Sequence, residues 1–220
     1  MKILALETSG EFCSVALWID GLCVQRHASA PASHTVHLLP ACEALLAEAG
    51  MSSSALDGLA FGSGPGAFTG VRVAASAAQG IALAHDLPVI PLSSLAALAH
   101  GGWRANGNAL QIPILDARRQ EVYWGGYEIR QGHALLVLLE QATATAAMTR
   151  PPGPGWALVG RGVELLTAED LVRLQPAGFA SAEYAFPQAR DVADLAAPLL
   201  QQGAGLAPEA ALPVYLRNAL

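Results

Sequence analysis

Gly62-Ser63-Gly64-Pro65-Gly66-Ala67-Phe68-Thr69-Gly70-Val71-Arg72 is a glycine-dense turn that runs into small residues at helical spacing. Pro65-Gly66 marks a tight turn, and glycines at such a place admit positive φ or the close approach of another group. Thr69 is placed as the N-cap of the helix, with Phe68 and Val73 as a hydrophobic staple. Leu59-Ala60-Phe61 before the loop and Val89-Ile90 after the helix read as short strands. Strand, loop, helix and strand in succession point to an α/β sheet.

The loop opens on a helix N-terminus, which favours negative charge. Arg72 in the first turn therefore calls for an answering group, either a structural salt bridge or an anion or partner contact. A familiar nucleotide cradle does not fit. A Walker A loop needs Lys and Ser/Thr after its last glycine, whereas Val71 follows Gly70, and Gly62, Gly64 and Gly66 lack the dinucleotide spacing.

Upstream, Ile3–Leu6 is an apolar run that ends in the polar turn Glu7-Thr8-Ser9-Gly10. Cys13–Ile19 leads to Asp20-Gly21, a strong hairpin signal, and Leu22–His27 returns, giving a three-stranded meander. A helix is expected from about Ser33 to Ala49, with Pro40 as a late start or kink, and a second from Thr69 to His85. The second helix carries Gly70, Ala74, Ala77, Ala78 and Ile81 near one face. That small-residue face admits close packing by a helix of the same lobe or of a partner.

A third helix is expected over Ser93–His100, with Gly101-Gly102 and Asn106-Gly107-Asn108 as a linker. The plan then starts again. Ile112–Leu115 ends in Asp116, the polar turn Arg118-Arg119 follows, Val122–Ile129 forms a strand, Gln131-Gly132 turns, and Ala134–Leu139 makes a third strand. Glu7 and Asp116 hold matching places in the two meanders. Pro151–Gly155 is a stiff loop before a strand at Trp156–Val159. Helices are expected over Val163–Leu174 and Asp191–Gln202, with Asp191 as N-cap or first-turn acid, and Pro213–Arg217 is extended. The fold class is thus α/β, with lobes at residues 1–104 and 105–220.

Composition narrows the function. Of 220 residues, 53% are hydrophobic and 14% charged, with a net charge of −6, which disfavours a direct grip on a phosphate backbone. Lys2 is the only lysine, so a Schiff-base or P-loop lysine in the body of the chain is excluded. Cys13, Cys23 and Cys42 show no Cys-x-x-Cys spacing and read as reduced core residues. No apolar run reaches membrane-spanning length without a charge, and a cytoplasmic location is expected. His34 and His37 share helical spacing but lack a third and fourth ligand implied by spacing, so no metal is expected. Ser63 lacks the glycine spacing of a nucleophile elbow.

Several stretches resemble the TsaB (YeaZ) family across the chain: Ile3–Ser9, Cys13–Leu17, Gly64–Arg72, Pro91–Leu95, Leu115–Arg119 with Glu121–Trp124, and Pro213–Arg217. Gly64–Arg72 is the most specific, and family members usually have Ser where this chain has Ala67. The resemblance implies an actin-like (ASKHA) two-lobed fold, each lobe a mixed sheet opened by a meander and packed by helices. It also implies a non-catalytic subunit that binds TsaD, is joined by TsaE, and supports threonylcarbamoyl transfer to the adenosine beside the anticodon.

On that reading the chain forms a homodimer when alone, meets tRNA only indirectly, uses no cofactor and docks through its first two helices. The docking residues expected are His34, His37, Leu38, Ala41, Gly70, Arg72, Ala74, Ala77, Ala78 and Ile81. A vestigial nucleotide site is expected at Glu7, Thr8, Ser9, Gly64, Gly66 and Asp116. The competing class is a small actin-like ATPase or kinase, or a peptidase, acting alone.

Overall fold

In the computed structural model, which describes residues 1–29, 34–180 and 185–216, the first apolar run becomes β1 (Lys2–Glu7). Every residue from Ile3 to Glu7 is buried, so the strand needs cover on both faces and sits in the middle of its sheet. β2 (Phe12–Ile19) and β3 (Leu22–Ser29) fold back antiparallel through Asp20-Gly21. One sheet face is covered by α1 (His34–Glu48) and, after β4 (Gly58–Gly62), by α2 (Phe68–Leu83). β4 pairs parallel with β1, and β5 (Val89–Leu92) pairs parallel with β4, which gives the order β3-β2-β1-β4-β5.

α3 (Ser94–Asn106) leads to the second sheet. β6 (Leu110–Asp116), β7 (Glu121–Arg130) and β8 (His133–Ala144) form its meander, and β9 (Ala157–Val159) and β10 (Gly178–Phe179) add in parallel. The order β10-β9-β6-β7-β8 repeats that of the first sheet, strand for strand. Ile112, Ile114, Val122, Trp124, Trp156 and Leu158 form its core with Leu174 of α4 (Ala168–Leu174). The α/β class and the doubled meander of an actin-like fold are thus present, each sheet packed by helices.

α5 (Ala189–Gln201) returns to the first sheet, on the face away from α1 and α2. Ala5 lies level with Ala16 on one side and Ala60 on the other, and all three are fully buried. This row of methyl groups lets a helix approach closely, and Ser14 Oγ accepts a hydrogen bond from the Ala189 N–H at 3.0 Å. The compact units are accordingly Met1–Ser94 with Gln188–Val214, and Leu95–Pro187 with the segment from Tyr215 on. The division expected at residues 104 and 105 falls inside α3 and assigns α5 to the wrong lobe.

Other expectations are corrected in detail. α2 starts at Phe68 with Ala67 as N-cap, because Ser9 C=O receives the Ala67 N–H at 2.7 Å and fixes the chain two residues ahead of Thr69. Gly101-Gly102 does not end α3. A Cβ on Gly102 would lie 2.6 Å from the Gln111 side chain and 3.1 Å from Val159, so the glycine serves helix-on-sheet contact. The helix expected from Val163 is a short 3-10 turn at Arg161–Leu165 followed by α4, which starts at a capping box of Thr167 and Asp170. Asp191 is a first-turn acid, and Gln188 is the N-cap. Ser33 and Arg217 lie outside the described residues. No described helix is long and apolar enough to cross a membrane.

Candidate functional site

β1 ends in Glu7-Thr8-Ser9, the turn expected to keep a vestigial nucleotide site, and the chain fills that turn with its own atoms. Glu7 Oε1 accepts the Ser9 N–H at 2.5 Å, and Oε2 accepts the Ser94 hydroxyl at 2.9 Å. The carboxylate is 1% exposed, and burial raises its pKa above the usual range against the pull of the Ser9 and Ser94 hydrogen bonds. Gly62 makes room for it: a Cβ there would stand 1.7 Å from Oε2. A glycine at the end of the neighbouring strand was the sequence signal for this burial.

The α2 loop seals the turn. Thr8 Oγ1 donates to Gly70 C=O at 2.7 Å, and a Cβ on Gly70 would lie 1.9 Å from Thr8 C=O. A Cβ on Gly66 would lie 2.5 Å from that of Ser9. The small residues of the loop thus serve contact between two backbones. Gly64 meets a different segment, since its Cβ would lie 2.8 Å from Val214 C=O, while the Val214 N–H bonds Ser63 C=O at 2.8 Å. Glu7, Thr8, Ser9 and Gly66 are therefore brought together with Gly70, but as a closed joint whose one carboxylate is already committed.

Asp116 stands at the matching place in the second unit and behaves differently. Its side chain is 39% exposed, accepts the Arg118 N–H at 2.6 Å and pairs with the Arg118 guanidinium at 3.2 Å. Burial of Glu7 and exposure of Asp116 separate two residues that sequence reading treated as equivalents.

The residues expected to dock a partner divide by direction. Leu38, Ala74 and Ala78 are at most 1% exposed, inside the core that α1 and α2 share with β1, β2 and β4, and Gly70 is held against Thr8. Small residues on α2 are matched to Leu59, Phe61 and the α1 side chains of its own unit, which corrects the expectation that these four form an outer face. Ala41, Ala77 and Ile81 are partly buried against the same core. His34 also turns inward, is hydrogen-bonded to the Gly10 backbone, and has its pKa lowered mainly by burial.

His37 and Arg72 remain exposed, and the Arg72 guanidinium lies 3.4 Å above the Phe68 ring, a cation–π contact. The ring supplies part of the answer that Arg72 required. Apolar residues outside the expected docking set are the ones exposed: Val36 and Leu39 on α1, which helical spacing groups with the buried Leu45 and Leu46, and Phe68 and Leu83 on α2, from 48% to 69% exposed. On α2 the signal was available, since Phe68 and Leu83 fall off the buried stripe of the helix.

Comparison with known proteins shows the family. The family model for TsaD, tRNA N6-adenosine threonylcarbamoyltransferase, matches residues 28–197. The tRNA threonylcarbamoyladenosine biosynthesis protein TsaB of Escherichia coli K12 is 37% identical over 223 residues, spanning 99% of this chain and 95% of the relative. That of Bacillus subtilis is 35% identical over 142 residues, 64% of this chain and 59% of the relative. YeaZ from Pseudomonas aeruginosa has a crystal structure that superposes with a TM-score of 0.89 at 39% identity, covering 98% of this chain and 99% of that one. With the E. coli match running end to end through the sealed β1 turn and both meanders, the chain belongs to the TsaB (YeaZ) family.

Proposed function

We propose that this chain is a non-catalytic subunit of tRNA threonylcarbamoyladenosine biosynthesis that docks on TsaD through the outward faces of α1 and α2. In that role it supports transfer of the threonylcarbamoyl group to the adenosine beside the anticodon, within an assembly that also admits TsaE. Alone, it pairs with a second copy through the same helices. The names of its relatives support the pathway.

The single observation that carries the non-catalytic part is the Ser9 N–H. This amide, the first that a phosphate would use, is bound by the chain's own Glu7 carboxylate, and the α2 loop packs directly on the turn. A ligand there would have to displace a buried acid and a helix start together. The docking part is supported by exposed Val36, Leu39, Phe68 and Leu83 on the neighbouring helices α1 and α2, since large apolar groups left exposed mark interaction surfaces where they adjoin.

Size exclusion with light scattering tests the proposal, using this chain alone and with TsaD from the same source. A homodimer that converts to a heterodimer is expected. Leu39→Glu and Leu83→Arg, both at exposed positions, should keep the urea midpoint and weaken association by about tenfold or more. If both variants bind TsaD as the parent does, these faces are not the interface. A parent chain that ignores TsaD removes the scaffold role.

A further inference from the structure

Among the described residues, three tight hairpin turns carry left-handed residues, and one of them breaks the pattern of the other two. Between β2 and β3 the turn residues are Asp20 and Gly21, with φ of 48° and 95°, and between β7 and β8 they are Gln131 and Gly132, with φ of 52° and 77°. Glycine in the second place is the ordinary way to reach this geometry without a Cβ clash. Between β6 and β7, Arg118, Arg119 and Gln120 take φ of 62°, 55° and 63° in succession. The Glu121 N–H closes the turn on Arg118 C=O at 3.1 Å, and the Ala117 N–H bonds Glu121 C=O at 2.9 Å. Three consecutive left-handed residues with long side chains are unfavourable unless something requires them, and such outliers gather at ligand sites.

What the turn presents is two adjacent guanidinium groups. Arg118 is 81% exposed, and Asp116 binds one of its side-chain nitrogens, so most of its five N–H donors remain available. Arg119 is exposed and has no side-chain hydrogen bond, ion pair or ring contact among the described residues. It is alone among the described arginines in this. Arg26, Arg72, Arg104, Arg118, Arg130, Arg150, Arg161, Arg173 and Arg190 each have a partner. In a chain of net charge −6, the one described arginine left unpaired sits on a strained backbone beside a second arginine.

We infer that the Arg118-Arg119-Gln120 turn is a phosphate-binding element that contacts the phosphodiester backbone of tRNA when the chain is assembled with its catalytic partner. The guanidinium fork matches two phosphate oxygens, and a backbone held in one conformation loses little freedom on binding. RNA is the phosphate source because it is the polyanion that the proposed function brings to this chain, and the inference rests on that reading. The net negative charge explains why the contact operates in the assembly, where the partner contributes the remaining affinity.

The test measures binding of an unmodified tRNA transcript by the chain–TsaD assembly across a salt series, comparing the parent with Arg118→Gly/Arg119→Gly. Glycine suits the left-handed backbone, so the variant should melt at least as high as the parent, which separates lost contact from lost fold. The expected result is weaker tRNA binding, with a log–log salt slope shallower by about 1.5 for two lost phosphate contacts. Association of the variant with TsaD should be unchanged.

An unchanged tRNA affinity and slope overturn the inference, as does a variant that loses TsaD. If the parent chain does not assemble with TsaD, the proposed function fails first, and the isolated chain then decides the inference. At low salt, its Arg118 and Arg119 NMR signals should shift with the same transcript, and their failure to move rejects the contact.

Discussion

The turn after β1 and the turn after β6 occupy the same place in two sheets of one strand order, yet the chain treats them in opposite ways. In the first unit the turn is buried beneath the α2 loop, its carboxylate committed to Ser9 and Ser94. In the second it stands open, with Asp116 half exposed and two arginines on a left-handed backbone. The same topology can therefore carry a structural joint at one copy of a position and a ligand-facing element at the other. What decides between them is the bulk of the residues that follow. Glycines at 62, 66 and 70 let α2 and β4 close over Glu7-Thr8-Ser9, while Arg118 and Arg119 extend into solvent.

The comparison is broken most severely at Gly70. Gly70→Ala sets a methyl group 1.9 Å from Thr8 C=O, a collision between backbone elements that no rotamer relieves. A loss of about 3 kcal/mol is expected, read as a lowered urea midpoint. A loss within error would mean that α2 does not seal the turn.

Glu7→Gln is gentler and acts through pH. The Glu7 pKa is raised in the fold, so the folded chain holds the proton more tightly than the unfolded one and stability falls as pH rises from 4.5 through the raised value. His34 titrates with the opposite sign, since its lowered pKa removes stability as pH falls below 6.5, and the readout is therefore the difference between parent and variant. That difference should grow in favour of the variant across the Glu7 window. A pH-independent difference would place the carboxylate in contact with water.

At Gln120 the expected effect is the smallest and runs the other way. Gln120→Gly removes a left-handed side chain from the open turn without touching either arginine. It should add about 0.5 kcal/mol after the greater freedom of unfolded glycine is counted. A destabilised variant would show that the Gln120 side chain holds the turn, and the strain would then have a structural cause.

Local chemistry made the strands legible and long-range chemistry hid the rest. Asp20-Gly21 and Gln131-Gly132 signal their hairpins by residue type, and both meanders were read from them with the apolar runs alongside. Arg118-Arg119-Gln120 carries no such signal, because nothing in those residue types asks for positive φ. On α2, periodicity identified a face of small residues but could not say what covers it. Ala74 and Ala78 meet Leu59, Phe61 and α1 of their own unit, and the outward face belongs to Phe68 and Leu83. Glu7 is assigned to a vestigial nucleotide site in the sequence because it stands in the acidic turn after the first strand of a repeated meander. Its burial depends on Gly62 and Ser94, the latter 87 residues away. α5 went to the wrong unit for the same reason, since its cover of the Ala5, Ala16 and Ala60 row is visible only once the sheet exists.

That return of α5 has a consequence for how the protein is made. A ribosome adding about 5–20 residues per second delivers β1 to β5 well before α5, yet one face of their sheet stays bare until Ala189–Gln201 emerges. The second unit draws its whole sheet from the continuous stretch Leu95–Pro187 and takes in only the segment from Tyr215 on besides, so its sheet can close as soon as that stretch leaves the exit tunnel. Synthesis order and completion order are thus reversed. The alanine-lined sheet begun first is finished last, and it is the surface a chaperone would find on the nascent chain.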